Sequence, residues 1–121
     1  MSWRSRISVW LWGWSWISSL ELRAAMSGKT PPKIVDVRDA QEFSGPLGHL
    51  PGAENFPVAQ LAQNPDALAS LRRDAPVVLL CLTDKRSSAM AALLRRTGRS
   101  NIRVLKGGMK SWTAAGLPVV R

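Results

Sequence analysis

The chain has 121 residues, of which 45% are hydrophobic and 21% are charged, a composition typical of one globular domain rather than of a disordered or fibrous protein. It holds one cysteine and one histidine, which excludes an internal disulfide and gives no support for a zinc site. Seventeen Lys and Arg residues against eight Asp and Glu give a formal charge of +9, which favours anionic partners. No nucleic-acid motif accompanies this charge, so we predict no nucleic-acid partner. With one cysteine and one histidine, we also predict no bound metal, and we predict no cofactor.

The first 16 residues, MSWRSRISVWLWGWSW, differ from the rest because they hold five of the six tryptophans. The uncharged stretch from Ile7 to Leu20 is 14 residues long, shorter than the roughly 20 that a membrane-spanning helix needs. Tryptophan prefers the membrane interface, so peripheral membrane contact through residues 3–16 is one interpretation, and a tail outside the fold is the other. We predict a Trp-rich extension at 1–16 and a domain at 17–121. Since a lone cysteine is typical of a reducing compartment, we expect a cytoplasmic protein, with membrane association left open.

From residue 17 onward, short apolar runs alternate with helical patterns, which predicts an α/β domain with a mainly parallel sheet. Ser18 and Glu21 form a capping-box pattern, and a helix from about Ser19 to Ser27 should follow. The remaining predicted elements are a strand at Ile34 and Val35, a short helix capped by Asp39 and Glu42 that runs through Phe43, a brief strand near Ala53 to Phe56, helical turns over 57–73 broken at Asn64 and Pro65, a central strand at Val77 to Leu80, a helix from Ser87 or Ser88 to about Thr97, a strand at Ile102 to Leu105 and a short helix between Gly108 and Gly116.

The stretch VVLLCLTDKRSSAMAALL carries the only cysteine, Cys81, from an apolar strand into a polar loop of about six residues that leads into a helix. Such a loop gathers backbone N–H groups around one point, and the helix dipole adds positive potential there, so it predicts an anion-binding site. These surroundings favour the thiolate form of a cysteine, which would make Cys81 a nucleophile. The residues alone leave a second interpretation open, since a lone cysteine that ends an apolar strand is often inert and buried.

The predicted anion-binding loop consists of the residues that follow the cysteine: Leu82, Thr83, Asp84, Lys85, Arg86 and Ser87. Lys85 is expected to receive an anionic substrate as a point charge and Arg86 as a planar fork. The only histidine, His49, lies in a Pro/Gly-rich loop, so no catalytic base is evident. A mechanism that needs only a thiolate and a good leaving group is therefore favoured over hydrolysis by a Cys-His pair.

Four segments in this order, IVDVRDAQEF, GHLPGAENFP, VVLLCLTDKRSSAMAALLRRTG and VLKGGMKSW, resemble a single-domain rhodanese over about Ile17 to Val120. The resemblance implies a rhodanese-like fold, with a central, mainly parallel five-stranded sheet flanked by helices. It implies a thiosulfate sulfurtransferase-like activity, in which sulfane sulfur passes from thiosulfate or a protein persulfide donor, through a persulfide on Cys81, to cyanide or a thiol acceptor. We expect a monomer or a weak dimer.

The resemblance also gives the other motifs a role. Asp36 and Arg38 match the family's Asp-Val-Arg element, which implies structural support beside the active-site loop. His49 begins a His-x-Pro-Gly-Ala element, which implies a positioned histidine that shapes the fold near the site. Trp112 matches the closing Gly-Gly-aromatic segment, where a packing role is expected.

Two alternatives share this fold. A Cys-based phosphatase or arsenate reductase is one, but related phosphatases have five residues between cysteine and arginine, and four separate Cys81 from Arg86 here. A catalytically weak binding or regulatory module is the other, although such modules often lack the cysteine that this chain contains. Asp84 stands where many active members have glycine, and its carboxylate is expected to offset the charges of Lys85 and Arg86 and so disfavour thiosulfate.

Overall fold

The computed structural model describes residues 14–68 and 74–121. Its strands are β1 (Ser15–Ile17), β2 (Lys33–Asp36), β3 (Glu54–Asn55), β4 (Val77–Leu80) and β5 (Ile102–Leu105). Its helices are α1 (Ser19–Met26), α2 (Ala40–Phe43), α3 (Val58–Gln63), α4 (Lys85–Arg96) and α5 (Gly108–Ala114), with a 3-10 helix at Pro65–Leu68. The five strands form one parallel sheet in the order β1-β5-β4-β2-β3, which confirms the predicted α/β architecture.

Strand β4 is the centre of the sheet, and all four of its side chains are buried. Successive side chains of a strand point to opposite faces, so Val77 and Leu79 join the core on one face while Val78 and Leu80 join the core on the other. This double burial explains why the segment reads as a continuous apolar run. Trp112 of α5 is fully buried in the second core, where its Nε1 donates to the Pro118 carbonyl at 2.8 Å.

Two helices begin with the contacts that their sequences predict. Ser18 Oγ accepts the Glu21 N–H at 3.1 Å, and Glu21 Oε1 accepts the Ser18 N–H at 2.9 Å, which completes the capping box of α1. At the start of α2, Glu42 Oε1 accepts the Asp39 N–H at 3.2 Å. These contacts fix both helices at the carboxyl edge of the sheet, where the strands end.

Strand β1 shows that the domain begins earlier than the predicted boundary at residue 17. Ser15 and Trp16, which we assigned to the extension, pair with Arg103 and Val104 of β5. Trp14 is buried, and its ring meets that of Trp16 edge-on with 4.9 Å between centroids. An edge strand of three residues is too short to show the alternating pattern of a strand. The sequence therefore does not separate Ser15 and Trp16 from the tryptophan-rich segment before them. The rest of the predicted extension and membrane contact, residues 1–13, lies outside the described residues.

Helix α4 begins at Lys85, two residues before the predicted start at Ser87. Asp84 occupies the position before the first turn, and lysine and arginine both favour helix, so the helix extends back to the loop. The predicted six-residue loop is therefore wrong in length, because only Leu82, Thr83 and Asp84 separate Cys81 from α4. Within the described ranges, none of the helices is both long enough and apolar enough to pass through a bilayer.

Candidate active site

Cys81 lies directly after the central strand at the carboxyl edge of the sheet, and it is only 1% exposed. Its Sγ lies 3.3 Å from Ser87 Oγ and 3.4 Å from the backbone nitrogen of Ser87, whose N–H donates to the sulfur. Ser87 is fully buried in the first turn of α4. The start of this helix therefore presents two polar groups to the sulfur atom, as the predicted strand-loop-helix arrangement requires.

The loop after Cys81 turns its carbonyl groups toward α5. The Cys81 carbonyl accepts the N–H of Met109 at 2.9 Å, and the Leu82 carbonyl accepts the N–H of Lys110 at 3.0 Å. A Cβ atom on Gly108 would lie only 2.0 Å from the Thr83 carbonyl oxygen, so this close approach requires glycine. Because the C=O and N–H groups of a trans peptide point in opposite directions, the N–H groups of Leu82 and Thr83 are directed away from α5. An anion-binding loop presents its N–H groups to one point, so this direction is compatible with the predicted site.

Asp84 links the same loop by a hydrogen bond to the turn that precedes α5. Its Oδ2 accepts the N–H of Gly107 at 3.0 Å. The sequence predicted that this carboxylate would offset Lys85 and Arg86. It also has a backbone partner in the turn after β5, a contact that glycine at position 84 would lack. Asp84 therefore has a structural function in this chain beyond its charge.

Arg86 forms a two-point ion pair with Glu42 of α2. Its Nη1 lies 2.6 Å from Glu42 Oε1, and its Nη2 lies 3.0 Å from Glu42 Oε2. The hydrogen bonds from Arg86 hold the pKa of Glu42 below its usual value despite partial burial. The same hydrogen bonds raise the pKa of Arg86 above its usual value, and the nearby charges of Glu42 and Cys81 contribute further. Glu42 is therefore a site residue that the sequence identified only as a helix cap, since no local pattern relates positions 44 residues apart.

The other predicted loop residues lie around the cysteine in different environments. Leu82 and Thr83 are half-buried, whereas Lys85 is exposed and joins no ion pair with another described residue. Ser88 is half-buried, and its N–H donates to the Asp84 carbonyl at 2.9 Å. Since Arg86 is already paired, Lys85 at the start of α4 is the cation beside the cysteine whose charge remains open to a ligand.

Asp36 and Arg38 form a buried ion pair beside the loop, with exposed fractions of 0% and 1%. Arg38 Nη2 donates to Asp36 Oδ2 and to the Gly48 carbonyl, both at 2.8 Å. Asn55, which the sequence analysis missed, donates from Nδ2 to the Asp36 and Arg38 carbonyls at 3.0 and 2.8 Å. The pair thus joins the end of β2 to the Pro/Gly-rich loop, and these contacts are structural.

His49 supports the helix that carries Glu42. Its ring stacks on Phe43, the last residue of α2, with 3.8 Å between centroids and 9° between planes. Its Nδ1 lies 3.0 Å from the Phe43 carbonyl, which can only accept, so Nδ1 carries the proton of this hydrogen bond. The backbone of His49 pairs with Val120 in both directions. Within the described part of the chain, no three His, Cys, Asp or Glu side chains cluster as metal ligands would.

The family model described as "Rhodanese-like domain" matches residues 18–115. This match covers most of the chain and includes Cys81, the loop after it, and Gly107 and Gly108 at the start of α5. The chain therefore belongs to the rhodanese-like domain family.

Individual relatives agree with this assignment. The chain is 41% identical over 86 residues to the uncharacterized protein YqhL of Bacillus subtilis, an alignment that covers 71% of this chain and 64% of that protein. It is 32% identical over 80 residues to the thiosulfate sulfurtransferase GlpE of Pseudomonas aeruginosa, covering 66% of this chain and 68% of GlpE. The solution structure of a rhodanese-like domain from Anabaena sp. superposes with a TM-score of 0.74 at 29% identity, covering 85% of this chain and 76% of that domain. The chain thus spans just under two thirds of YqhL.

Proposed function

We propose that the chain is a sulfurtransferase that carries sulfane sulfur as a persulfide on Cys81. The observation that supports this proposal best is the surroundings of the sulfur, which receives the Ser87 N–H and lies against Ser87 Oγ at the start of α4. Donors at a helix start stabilise a thiolate, and they equally stabilise the terminal sulfur of a persulfide anion. Similarity to a protein named thiosulfate sulfurtransferase agrees with this activity.

The first step loads the cysteine. The Cys81 thiolate attacks the outer sulfur of thiosulfate, the bond between the two sulfur atoms of thiosulfate breaks, and sulfite leaves with the electron pair. A persulfide donor reacts in the same way and releases a thiolate. Because Cys81 is almost fully buried, the donor must present its sulfur through the loop formed by Leu82, Thr83 and Asp84.

The second step unloads the cysteine. With one cysteine in the chain, no second thiol is present to resolve the persulfide internally. The outer sulfur therefore moves to an external acceptor: cyanide takes it to give thiocyanate, and an acceptor thiolate takes it to give a new persulfide. Both reactions return Cys81 to the thiolate. The chain acts as a carrier between a donor and an acceptor.

Intact-protein mass spectrometry tests the cycle directly. After incubation with thiosulfate, the protein should gain the mass of one sulfur atom, and added cyanide should remove it. Cys81→Ser should neither gain the mass nor turn over, while its circular dichroism and melting temperature stay close to those of the wild type. If neither thiosulfate nor a small persulfide donor adds sulfur to the wild-type chain, the proposal is wrong, and a non-catalytic binding module becomes the better interpretation.

A further inference from the structure

Helix α2, which carries Glu42, has little hydrophobic anchorage of its own. Each of its four residues is exposed or half-buried. So short a helix is unstable in isolation, and burial of an apolar face is what normally fixes a helix on its domain. The position of Glu42 beside Arg86 therefore depends on contacts that other parts of the chain make with α2.

His49 makes such contacts at the end of α2. Its ring stacks on that of Phe43, with 3.8 Å between centroids, and its Nδ1–H donates to the Phe43 carbonyl at 3.0 Å. Phe43 directly follows Glu42 in the helix. A displacement of His49 would therefore move the carboxylate that holds the Arg86 guanidinium.

The segment at 118–121 holds His49 in turn. The His49 N–H donates to the Val120 carbonyl at 2.9 Å, and the Val120 N–H donates to the His49 carbonyl at 2.8 Å. Arg121 Nε donates to the Pro46 carbonyl, also at 2.8 Å. These three hydrogen bonds tie the segment to the Pro/Gly-rich loop that carries His49, so the position of this loop depends on the segment.

The core anchors the other end of the segment. Val119 packs against the second core, the one that contains Trp112. The Pro118 carbonyl accepts the Nε1–H of Trp112 at 2.8 Å, and the Trp112 side chain is fully buried. A continuous series of direct contacts therefore connects this core with Arg86 by way of the segment, His49 and α2.

The charge that α2 neutralises bears on the choice of sulfur donor. Thiosulfate is a dianion, so its affinity for the loop rises with each positive charge left unpaired nearby. While Glu42 is held against Arg86, that guanidinium contributes little to the attraction. The contacts that hold α2 in place therefore lower the affinity of the site for small anionic donors.

We propose that segment 118–121 keeps Glu42 on Arg86 through Val120 and His49, and thereby determines how strongly the site discriminates against small anionic sulfur donors. Val120 is a positioning residue, since it acts through His49 and α2. The effect on donor choice rests on the proposed function, whereas the coupling between Val120 and Glu42 does not.

Steady-state transfer of sulfur from thiosulfate to cyanide tests the effect on donor choice. Val120→Pro removes the N–H that donates to His49 and changes no charge. Its KM for thiosulfate should fall by about two- to fivefold, as in Glu42→Gln, because the Arg86 charge is released. In the Glu42→Gln background the same substitution should leave the KM unchanged. Val120→Ala, the matched control, keeps both backbone hydrogen bonds and should match the wild type.

Arg121→Ala provides a second variant, and it keeps the backbone intact should the proline variant fail to fold. It removes the hydrogen bond to Pro46, so the KM should fall by about twofold. Loss of a positive charge alone would raise the KM for an anion, so the control Arg95→Ala, at the far end of α4, should not lower it. An unchanged or raised KM in folded Val120→Pro, or in Arg121→Ala if the proline variant does not fold, would overturn the proposal.

Urea unfolding at pH 7 measures the coupling without any sulfur chemistry. Glu42→Gln should raise the unfolding equilibrium constant of the wild type by about two- to fivefold, but that of Val120→Pro by less than about twofold. Arg121→Ala takes the place of Val120→Pro if the latter does not fold. Equal effects in the two backgrounds would overturn the proposal even in a chain that transfers sulfur. If the wild type loads no sulfur, the proposed function fails, and this cycle still decides whether Val120 positions Glu42.

Discussion

Glu42 holds the guanidinium of Arg86 through two hydrogen bonds of 2.6 and 3.0 Å, and it thereby joins α2 to the first turn of α4. Arg86 directly precedes Ser87, the residue whose N–H and hydroxyl contact the Cys81 sulfur. Arg86 is therefore held in place and neutralised before any substrate arrives. Its position serves the geometry of the site, and its charge is largely unavailable to a small anion.

Glu42→Gln should lower the KM for thiosulfate, because the variant leaves the Arg86 guanidinium without its carboxylate. An exposed charge contact contributes up to about 1 kcal/mol, so we expect a decrease of about two- to fivefold in steady-state kinetics. Glu54→Gln is the matched control, since it removes a carboxylate from the ion pair with Lys33 at the opposite edge of the sheet, where β2 and β3 begin. A raised KM would instead show that Glu42 is needed to position Arg86 for substrate.

The same pair predicts how stability depends on pH. The folded-state pKa of Glu42 lies below its usual value of 4.5, so ionised Glu42 stabilises the fold above about pH 4.5. This stabilisation is lost as the pH falls through the lower folded-state pKa. In urea unfolding, the wild type should therefore be more stable than Glu42→Gln at pH 7, and the difference should shrink toward zero in acid. A difference that grows in acid would contradict the ion pair.

Ser87→Ala should slow sulfur transfer without unfolding the chain. The variant keeps the backbone N–H but loses the hydroxyl that lies 3.3 Å from Cys81 Sγ. A hydrogen bond to a charged group contributes about 1.5–3 kcal/mol, so persulfide formation should slow by at least about tenfold. Stopped-flow loading with thiosulfate measures this rate. Ser88→Ala is the control, because the hydrogen bonds described for the Cys81 sulfur both come from Ser87, and its rate should match the wild type.

Gly108→Ala should be strongly destabilising because its new methyl group would meet the Thr83 carbonyl oxygen at 2.0 Å. Gly116→Ala provides a matched comparison, since Gly116 also has a positive φ but no atom within 4 Å of the new Cβ. Backbone strain alone costs about 1–2 kcal/mol, and overpacking adds about 1–3 kcal/mol. Thermal unfolding should therefore show a larger loss for Gly108→Ala, together with loss of persulfide formation. Equal decreases in melting temperature for Gly108→Ala and Gly116→Ala would contradict the close approach of Gly108 to the Thr83 carbonyl oxygen.

Two substitutions separate the charge of Asp84 from its hydrogen bond. Asp84→Asn keeps an oxygen acceptor for the Gly107 N–H and removes the negative charge, so the KM for thiosulfate should fall while the loading rate at saturation is retained. Asp84→Ala also removes the charge but releases the loop, so its rate at saturation should decrease by several-fold. If both variants behave alike in stopped-flow loading, the contact with Gly107 has no role in the reaction.

The sequence predicts the order of the elements well because each depends on local signals. The capping box at Ser18 and Glu21 and the apolar run of β4 are both visible in the sequence and both present in the structure. Strand β1 was missed because three residues at a sheet edge carry too few side chains to show a period. Helix α4 starts two residues before the predicted position because Lys85 and Arg86, which the sequence pattern assigns to the loop, form its first turn.

The candidate site is less predictable than the fold because its supporting contacts join distant parts of the chain. Cys81 and its loop could be identified from one stretch of sequence and a family resemblance. The pairing of Glu42 with Arg86 and of Asp84 with Gly107 depends on which strand ends lie side by side, and no local pattern encodes that. Asn55 was missed for the same reason, since its side chain acts on backbone groups of another strand.

The contact between Asp84 and Gly107 also has a consequence for folding. It spans 23 residues, and the ion pair between Glu42 and Arg86 spans 44, so neither forms in a fragment that holds only the loop and α4. Contacts so distant in sequence form late, after the loop-closure entropy of the intervening chain has been overcome. During synthesis and refolding, these two contacts beside the Cys81 loop are therefore absent until the whole sheet has assembled. Under the proposed function, loading of sulfur onto Cys81 would report on the native state of the entire domain.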